Sequence, residues 1–275
     1  MNNQLQNKPK FSLAIQSEGY KRLINNTLGD QKRAAKFIVA ISSAVATNPS
    51  LQQCEAGSIL SGALLGEALN LSPSPQLGQY YLVPFKDKAQ FQLGYKGYIQ
   101  LAIRSGQYKD IDVIEVREGE YLGRDKITGK HQFEFIEDEV ERENKPIIGY
   151  MAYFEYLNGF YKNLYWSKEK MQKHALEYSQ AYASDVKKGT NYSFWTKDFN
   201  GMAFKTMLRQ LISKWGIMSI DMQEALTKDM SVVKEDGTYD YVDNQPVMEV
   251  SSEERVEQTA ETTTSEVKQV NINEL

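Results

Sequence analysis

The sequence predicts an α+β fold, a mostly antiparallel sheet with β-hairpins flanked by helices. Three patterns predict it. Apolar residues recur at helical spacing near both ends of the body. Two apolar runs flank the charged tip Lys86-Asp87-Lys88, and two aromatic-rich runs flank Asn158-Gly159, a strong short-range hairpin signal.

The elements follow in order. Residues 1 to 10 are polar and without periodicity, so residues 1–15 are expected to be a flexible arm. Helical patterning begins near Glu18. Ala34, Ala35, Ile38, Ile41 and Val45 mark a helix over 31–46, ended by Asn48-Pro49. A helix over 56–68 is rich in small residues, among them Gly62 and Gly66, which permits close helix packing. The SPSP at 72–75 is a loop. Strands are expected at 80–85 and 89–95, then a short helix over 97–105 with Tyr98, Leu101 and Ala102 on one face. IDVIEVR alternates over 111–117 and reads as a strand, with a weaker one at 133–136. Runs 147–157 and 160–166 form the second hairpin. Ser167 caps a helix expected to reach about 182. Residues 194–215 read as one long amphipathic helix ended by Gly216. Residues 16–230 are therefore expected to form one core, with 231–275 an acidic, disordered tail.

Composition narrows the function. The chain has 275 residues, 41% of them hydrophobic, and no apolar run approaches a membrane span. The start lacks a secretory h-region, and a single cysteine, Cys54, fits a reducing cytoplasm. That cysteine with His131 and His174 does not make a usual zinc site. The net charge of −4 hides an asymmetry. From 231 onward there are 3 of the 32 Lys/Arg but 11 of the 36 Asp/Glu, net −8, which leaves the body at +4. A mildly basic body with an acidic tail suits a polyanion binder whose tail engages partners; a tail that only aids solubility is the equal alternative.

The richest stretch is FQLGYKGYIQLAIRSGQYKDIDVIEVREGE, residues 91–120. Tyr95, Tyr98 and Tyr108 stand among Lys96, Arg104 and Lys109, with Gly94, Gly97 and Gly106 between them. Rings stack on unpaired bases, cations track phosphates, and glycines admit close backbone approach, a combination that suits single-stranded nucleic acid. Most individual tyrosines, however, fill cores or sheet faces. In the second stretch, Phe204, Met207, Leu208, Leu211, Ile212 and Trp215 form an apolar arc, with Lys205 and Arg209 one turn apart on its flank. Lys197, Lys205, Arg209 and Lys214 fall within 18 residues that hold one acid, Asp198. Phosphate binding favours such an imbalance, although a lone Lys/Arg pair is usually a solvated face. Trp195 and Phe194 are stacking candidates; Trp166 reads as strand core.

Enzyme readings find less support. Asp110, Asp112, Glu115, Glu118 and Glu120 suggest a two-metal nuclease, but Asp110 and Asp112 share one strand face and Glu115 lies on the other. Magnesium is compatible with the sequence but not indicated by it. No GxxxxGK[ST], GxSxG or HExxH occurs. A metal-dependent DNA-processing enzyme therefore remains the alternative, and a purely structural filament protein is third.

YYLVPFKDKAQFQLGYKGYIQLAIRSGQYKDIDVIEVREGE resembles the central signature of the RecT family of phage and prophage annealing proteins, and WTKDFNGMAFKTMLRQLISKWGIMSIDM resembles its second block. The likeness covers roughly residues 51–230. It implies a RecT/Redβ-like annealing core that binds single-stranded DNA and joins complementary strands without ATP or cofactor. It also implies oligomeric rings or helical filaments with DNA in a basic groove. The partners implied are a phage exonuclease and the host single-strand-binding protein, met through the C-terminal region, in a bacterial cytoplasm. The two blocks would then form the walls of the groove.

Overall fold

The computed structural model describes residues 11–234, 236 and 239–241. The expectations for residues 1–10 and for the tail beyond 241 lie outside the described residues. The fold is α+β, with antiparallel sheets flanked by helices.

Three helices lead: α1 (Phe11–Ala14), α2 (Glu18–Leu28) and α3 (Gln31–Ala46). Phe11 and Ile15 are buried, so the expected arm to residue 15 is shorter; its last residues are core. Asp30 caps α3, its carboxylate accepting from the N–H of Lys32 and Arg33. Helix α4 (Ala56–Ala68) packs on the hairpin of β1 (Tyr80–Phe85) and β2 (Lys88–Leu93). A Cβ on Gly66 would lie 2.3 Å from the Tyr80 ring. The small residues of α4 thus admit a sheet aromatic rather than a second helix.

Helix α5 (Tyr95–Arg104) starts two residues before its expected position. Strands β3 (Tyr108–Arg117), β6 (Ile147–Tyr156) and β7 (Tyr161–Ser167) make a three-stranded sheet in that order. Between β3 and β6 run a small hairpin, β4 (Tyr121–Arg124) with β5 (His131–Phe133), and a short helix α6 (Glu139–Asn144). The Asn158-Gly159 turn is present, with Gly159 at φ +83°.

The expected helix to 182 is two helices, α7 (Lys168–Tyr178) and α8 (Gln180–Lys188). Ser179 is extended, ending one and capping the next through Tyr182 N–H. The expected helix 194–215 is also divided, into α9 (Phe194–Lys197) and α10 (Phe199–Trp215). Asp198 breaks it because its carboxylate accepts from Gly201 N–H as an N-cap. Helix α11 (Ile220–Lys228) follows, then β8 (Ser231–Val233) and β9 (Tyr239–Tyr241). Strand β8 pairs with β2, which makes the second sheet β1-β2-β8-β9. All three β8 residues are buried, so the expected tail boundary at 230/231 moves outward past Val233. Leaving β8 out would strip the outer edge of β2, and that is why these residues fold with the body.

Candidate nucleic-acid interface

The two sequence blocks meet where β1 and α5 face α9 and the start of α10. Tyr81 and Phe194 approach with ring centroids 6.0 Å apart, and Tyr95 meets Phe204 edge-on at 5.5 Å. Two exposed cations rim these rings. Lys96 Nζ lies 5.9 Å from the Tyr95 centroid, and Lys197 Nζ lies 5.9 Å from the Phe194 centroid. Tyr81, Tyr95 and Phe194 are all half-buried, so each ring is anchored yet partly open. A nearby acid, Asp198, is engaged in capping α10. Burial first, then the charge of Asp198, pushes the Tyr81 phenol up, so it stays a neutral donor.

The glycines have a different task from the one expected. A Cβ at Gly94 would meet the Gly78 carbonyl oxygen at 2.1 Å, and one at Gly97 the Gln79 carbonyl oxygen at 2.1 Å. Their close backbone approach is to the chain's own 78–79 loop, and it seats the N-terminus of α5. Lys96 is thereby held beside Gly78.

Several expected site residues are in the core instead. Tyr98 is fully buried, and its hydroxyl donates to Asp229 Oδ2 (3.1 Å). Tyr108 is buried and donates to the Ile217 carbonyl (3.0 Å). Trp195 is buried against Phe199, centroids 5.1 Å apart. Lys205, expected to present its ammonium to DNA from an open flank, is only 6% exposed and donates to Asp229 Oδ1 at 2.9 Å. Arg209 donates to Asp229 Oδ2 at 2.6 Å. In this fold the first four present no ring face or ammonium to a ligand. Arg104 stays at the surface but caps α4, donating to the carbonyls of Leu69 (2.5 Å) and Asn70 (3.2 Å). Lys109 is exposed and ion-paired with Glu155 at 2.7 Å. Lys214 is exposed at the far end of α10, about 22 Å from its start at 1.5 Å per residue.

Asp229 explains the buried cations. It takes Lys205, Arg209, Tyr98 and the N–H of Leu93 (2.8 Å), so both its oxygens are filled. Burial alone would raise its pKa, but Lys205 and Arg209 outweigh that, and the carboxyl titrates below its usual range. Burial pushes the Lys205 ammonium down despite the pairing. A second carboxylate, Asp185, accepts from Thr190 Oγ1, the N–H of Tyr192 and Ser193, and Thr196 Oγ1. It fixes the loop that delivers Phe194 and Lys197. Sequence reasoning singled out neither aspartate: each is a lone acid, and only the fold brings donors to it. Tyr81 was missed as well, because nothing local separates it from core tyrosines such as Tyr80.

The acids that suggested a nuclease do not converge. Asp110 accepts from Tyr153 Oη, Glu115 pairs with Arg117 and accepts from Asn200, and buried Glu120 pairs with Arg142. Among the described residues no three His, Cys, Asp or Glu side chains are grouped as a metal site, and no helix is long and apolar enough to cross a membrane.

Ammonium groups over half-open rings are a combination that proteins use to hold single-stranded nucleic acid. The RecT family model matches residues 35–259, most of the chain, and the chain belongs to the RecT family. It is 41% identical over 212 residues to the uncharacterized protein YqaK of Bacillus subtilis, covering 77% of this chain and 68% of that one. It is 28% identical over 229 residues to Protein RecT of Escherichia coli, covering 78% of each. Membership places the chain among proteins that bind single-stranded DNA, self-associate and anneal strands in recombination.

Proposed function

We infer that the protein anneals complementary single strands without ATP or covalent chemistry, as a ring or helical filament that holds DNA along a basic surface. The observation that carries this is the meeting of Lys96 and Lys197 with Tyr81, Tyr95 and Phe194 on one face. The two ammonium groups hold phosphates of the first strand. The half-open rings support its bases in an extended state, and a second strand tests register by base pairing. Specificity then lies in the two DNA strands, since phosphate contacts carry no sequence information. The chain has no phosphate-binding loop of the GxxxxGK[ST] type, in keeping with an ATP-independent mechanism. The acidic segment after residue 241 is assigned to partner proteins: an exonuclease that supplies the single strand, and the host single-strand-binding protein.

The test is a salt titration of single-strand binding. Replacing Lys96 and Lys197 by alanine removes two phosphate contacts. The slope of log affinity against log salt should fall by about 1.4, from roughly 0.7 per contact on single strands. Annealing should slow in parallel. A double variant with the wild-type slope and annealing rate would show that DNA lies elsewhere.

A further inference from the structure

At the C-terminal end of α10, a second group of lysines gathers around tryptophan. Lys162 of β7 lies 4.7 Å from the Trp215 centroid, and Lys214 lies 5.9 Å from it. Lys170 of α7 lies 4.3 Å from the Trp166 centroid. None of the three has an ion-pair partner among the described residues. Burial, and then the charge of Lys214, pushes the Lys170 ammonium down. An incoming anion would relieve that repulsion. The rim is apolar and open: Trp215 is 37% exposed, Ile217 45% and Ile220 83%. Tyr156 makes the rim rigid, donating to the Trp215 carbonyl (2.8 Å) and accepting from Ile217 N–H (2.5 Å). Lysines without ion-pair partners among the described residues, beside exposed aliphatic and aromatic groups, make a mixed patch that fits a partner of opposite charge with an apolar contact.

A matching surface lies at the opposite edge of the same sheet. β7 is one edge strand and β3 the other. Helix α6 is fastened to β3: Arg142 donates to the Glu115 carbonyl (2.6 Å), and Arg117 donates to the carbonyls of Glu143 (3.3 Å) and Lys145 (2.9 Å). Glu137, Glu139 and Glu143 are exposed there, and none has an ion-pair partner among the described residues. Between them Val140 is 72% exposed.

We propose that the acidic α6 edge of one copy docks on the lysine–tryptophan face of the next. The proposal rests on the self-association that family membership carries, and it names the surfaces that perform it. Three carboxylates meet three lysines, and Val140 meets the Ile217 and Ile220 rim. An aliphatic rim calls for an apolar partner, which a second copy supplies and a phosphate backbone does not. The two surfaces differ, so the contact is heterologous. It repeats into a ring or an open helix according to the rotation between copies.

Charge exchange tests this without DNA. One variant carries Lys162→Glu and Lys214→Glu; the other carries Glu139→Lys and Glu143→Lys. Lys214, Glu139 and Glu143 are exposed and Lys162 is half-buried, and circular dichroism checks that each variant folds. In sedimentation, each variant alone should need at least about tenfold more protein to assemble, because like charges now face each other. An equal mixture should assemble again, since each altered surface then meets its opposite. Wild-type-like assembly of either variant overturns the proposal, as does a mixture that fails to recover. Loss of single-strand binding in the lysine variant with assembly intact assigns the face to DNA instead and overturns it too. A wild-type protein that stays monomeric at every concentration removes the self-association reading itself, a result distinct from failed rescue.

Discussion

Lys197 and Lys205 sit eight residues apart around one helix start and meet opposite fates. Lys197 is exposed over the Phe194 ring, on the open face where the two sequence blocks meet. Lys205 is buried on Asp229, together with Arg209 and Tyr98. The first region offers charge to a ligand. The second uses charge to lock α10, α5 and β2 to the end of α11, just before β8. Cation density along a helix therefore does not measure the charge a surface presents. What separates the two regions is one acid from a distant segment.

The largest expected effect lies in the buried region. Asp229→Ala leaves Lys205 and Arg209 without a counter-charge and should cost about 3–5 kcal/mol in urea unfolding. A loss below about 1 kcal/mol would dissolve the contrast between the regions. Next comes the chain end. Stopping after Met230 deletes buried Val232 and Val233 and should cost about 3 kcal/mol or more. Stopping after residue 243 should leave the thermal midpoint nearly unchanged. Lys205→Met comes third, at about 1–3 kcal/mol, because Arg209 and Tyr98 still satisfy Asp229. Its single-strand affinity, measured well below its melting point, should match wild type. A lowered salt slope would put Lys205 on the DNA and merge the two regions. The Lys96→Ala, Lys197→Ala pair is the converse, with stability within about 0.5 kcal/mol of wild type and a reduced salt slope.

Acid sharpens the same comparison. Asp229 and Asp185 both titrate below the ordinary carboxylate range in the folded protein, Asp185 chiefly through the Thr190 hydroxyl and its backbone donors. The unfolded chain then binds more protons than the folded one as pH drops through that range. The stability these groups contribute is present above about pH 4 and is lost as pH falls toward their folded values. Unfolding followed from pH 7 to pH 2.5 should show this loss, smaller in Asp185→Asn than in wild type. An equal loss would mean Asp185 does not organise the 189–193 loop.

Much of the fold was legible where the signal is local. Asn158-Gly159 announced its hairpin, IDVIEVR its strand, and Gln31–Ala46 its helix. The breaks at Ser179 and Asp198 were missed because both residues can sit on a helix face, and capping wins only when the flanking segments pack at an angle. β8 was missed because three residues between polar neighbours show no period; its identity comes from the unpaired edge of β2. Of the residues on the face proposed for DNA, Lys96, Tyr95 and Lys197 could be named from their blocks. Tyr98, Tyr108, Trp195 and Lys205 misled because a buried aromatic or ion pair and an exposed one have the same one-dimensional pattern. Only a partner from far along the chain, here Asp229, distinguishes them.

That partner has a consequence for the order in which the chain is made. Asp229 fills the Leu93 N–H from 136 positions away, and the strand after it pairs with β2. On a ribosome adding about 5–20 residues per second, the β1–β2 hairpin waits roughly 7–27 s for its third strand. During that interval the edge of β2 and the ring of Tyr98 lack their native cover. The nascent protein is then open to mispairing with a neighbour's hairpin until its final quarter emerges.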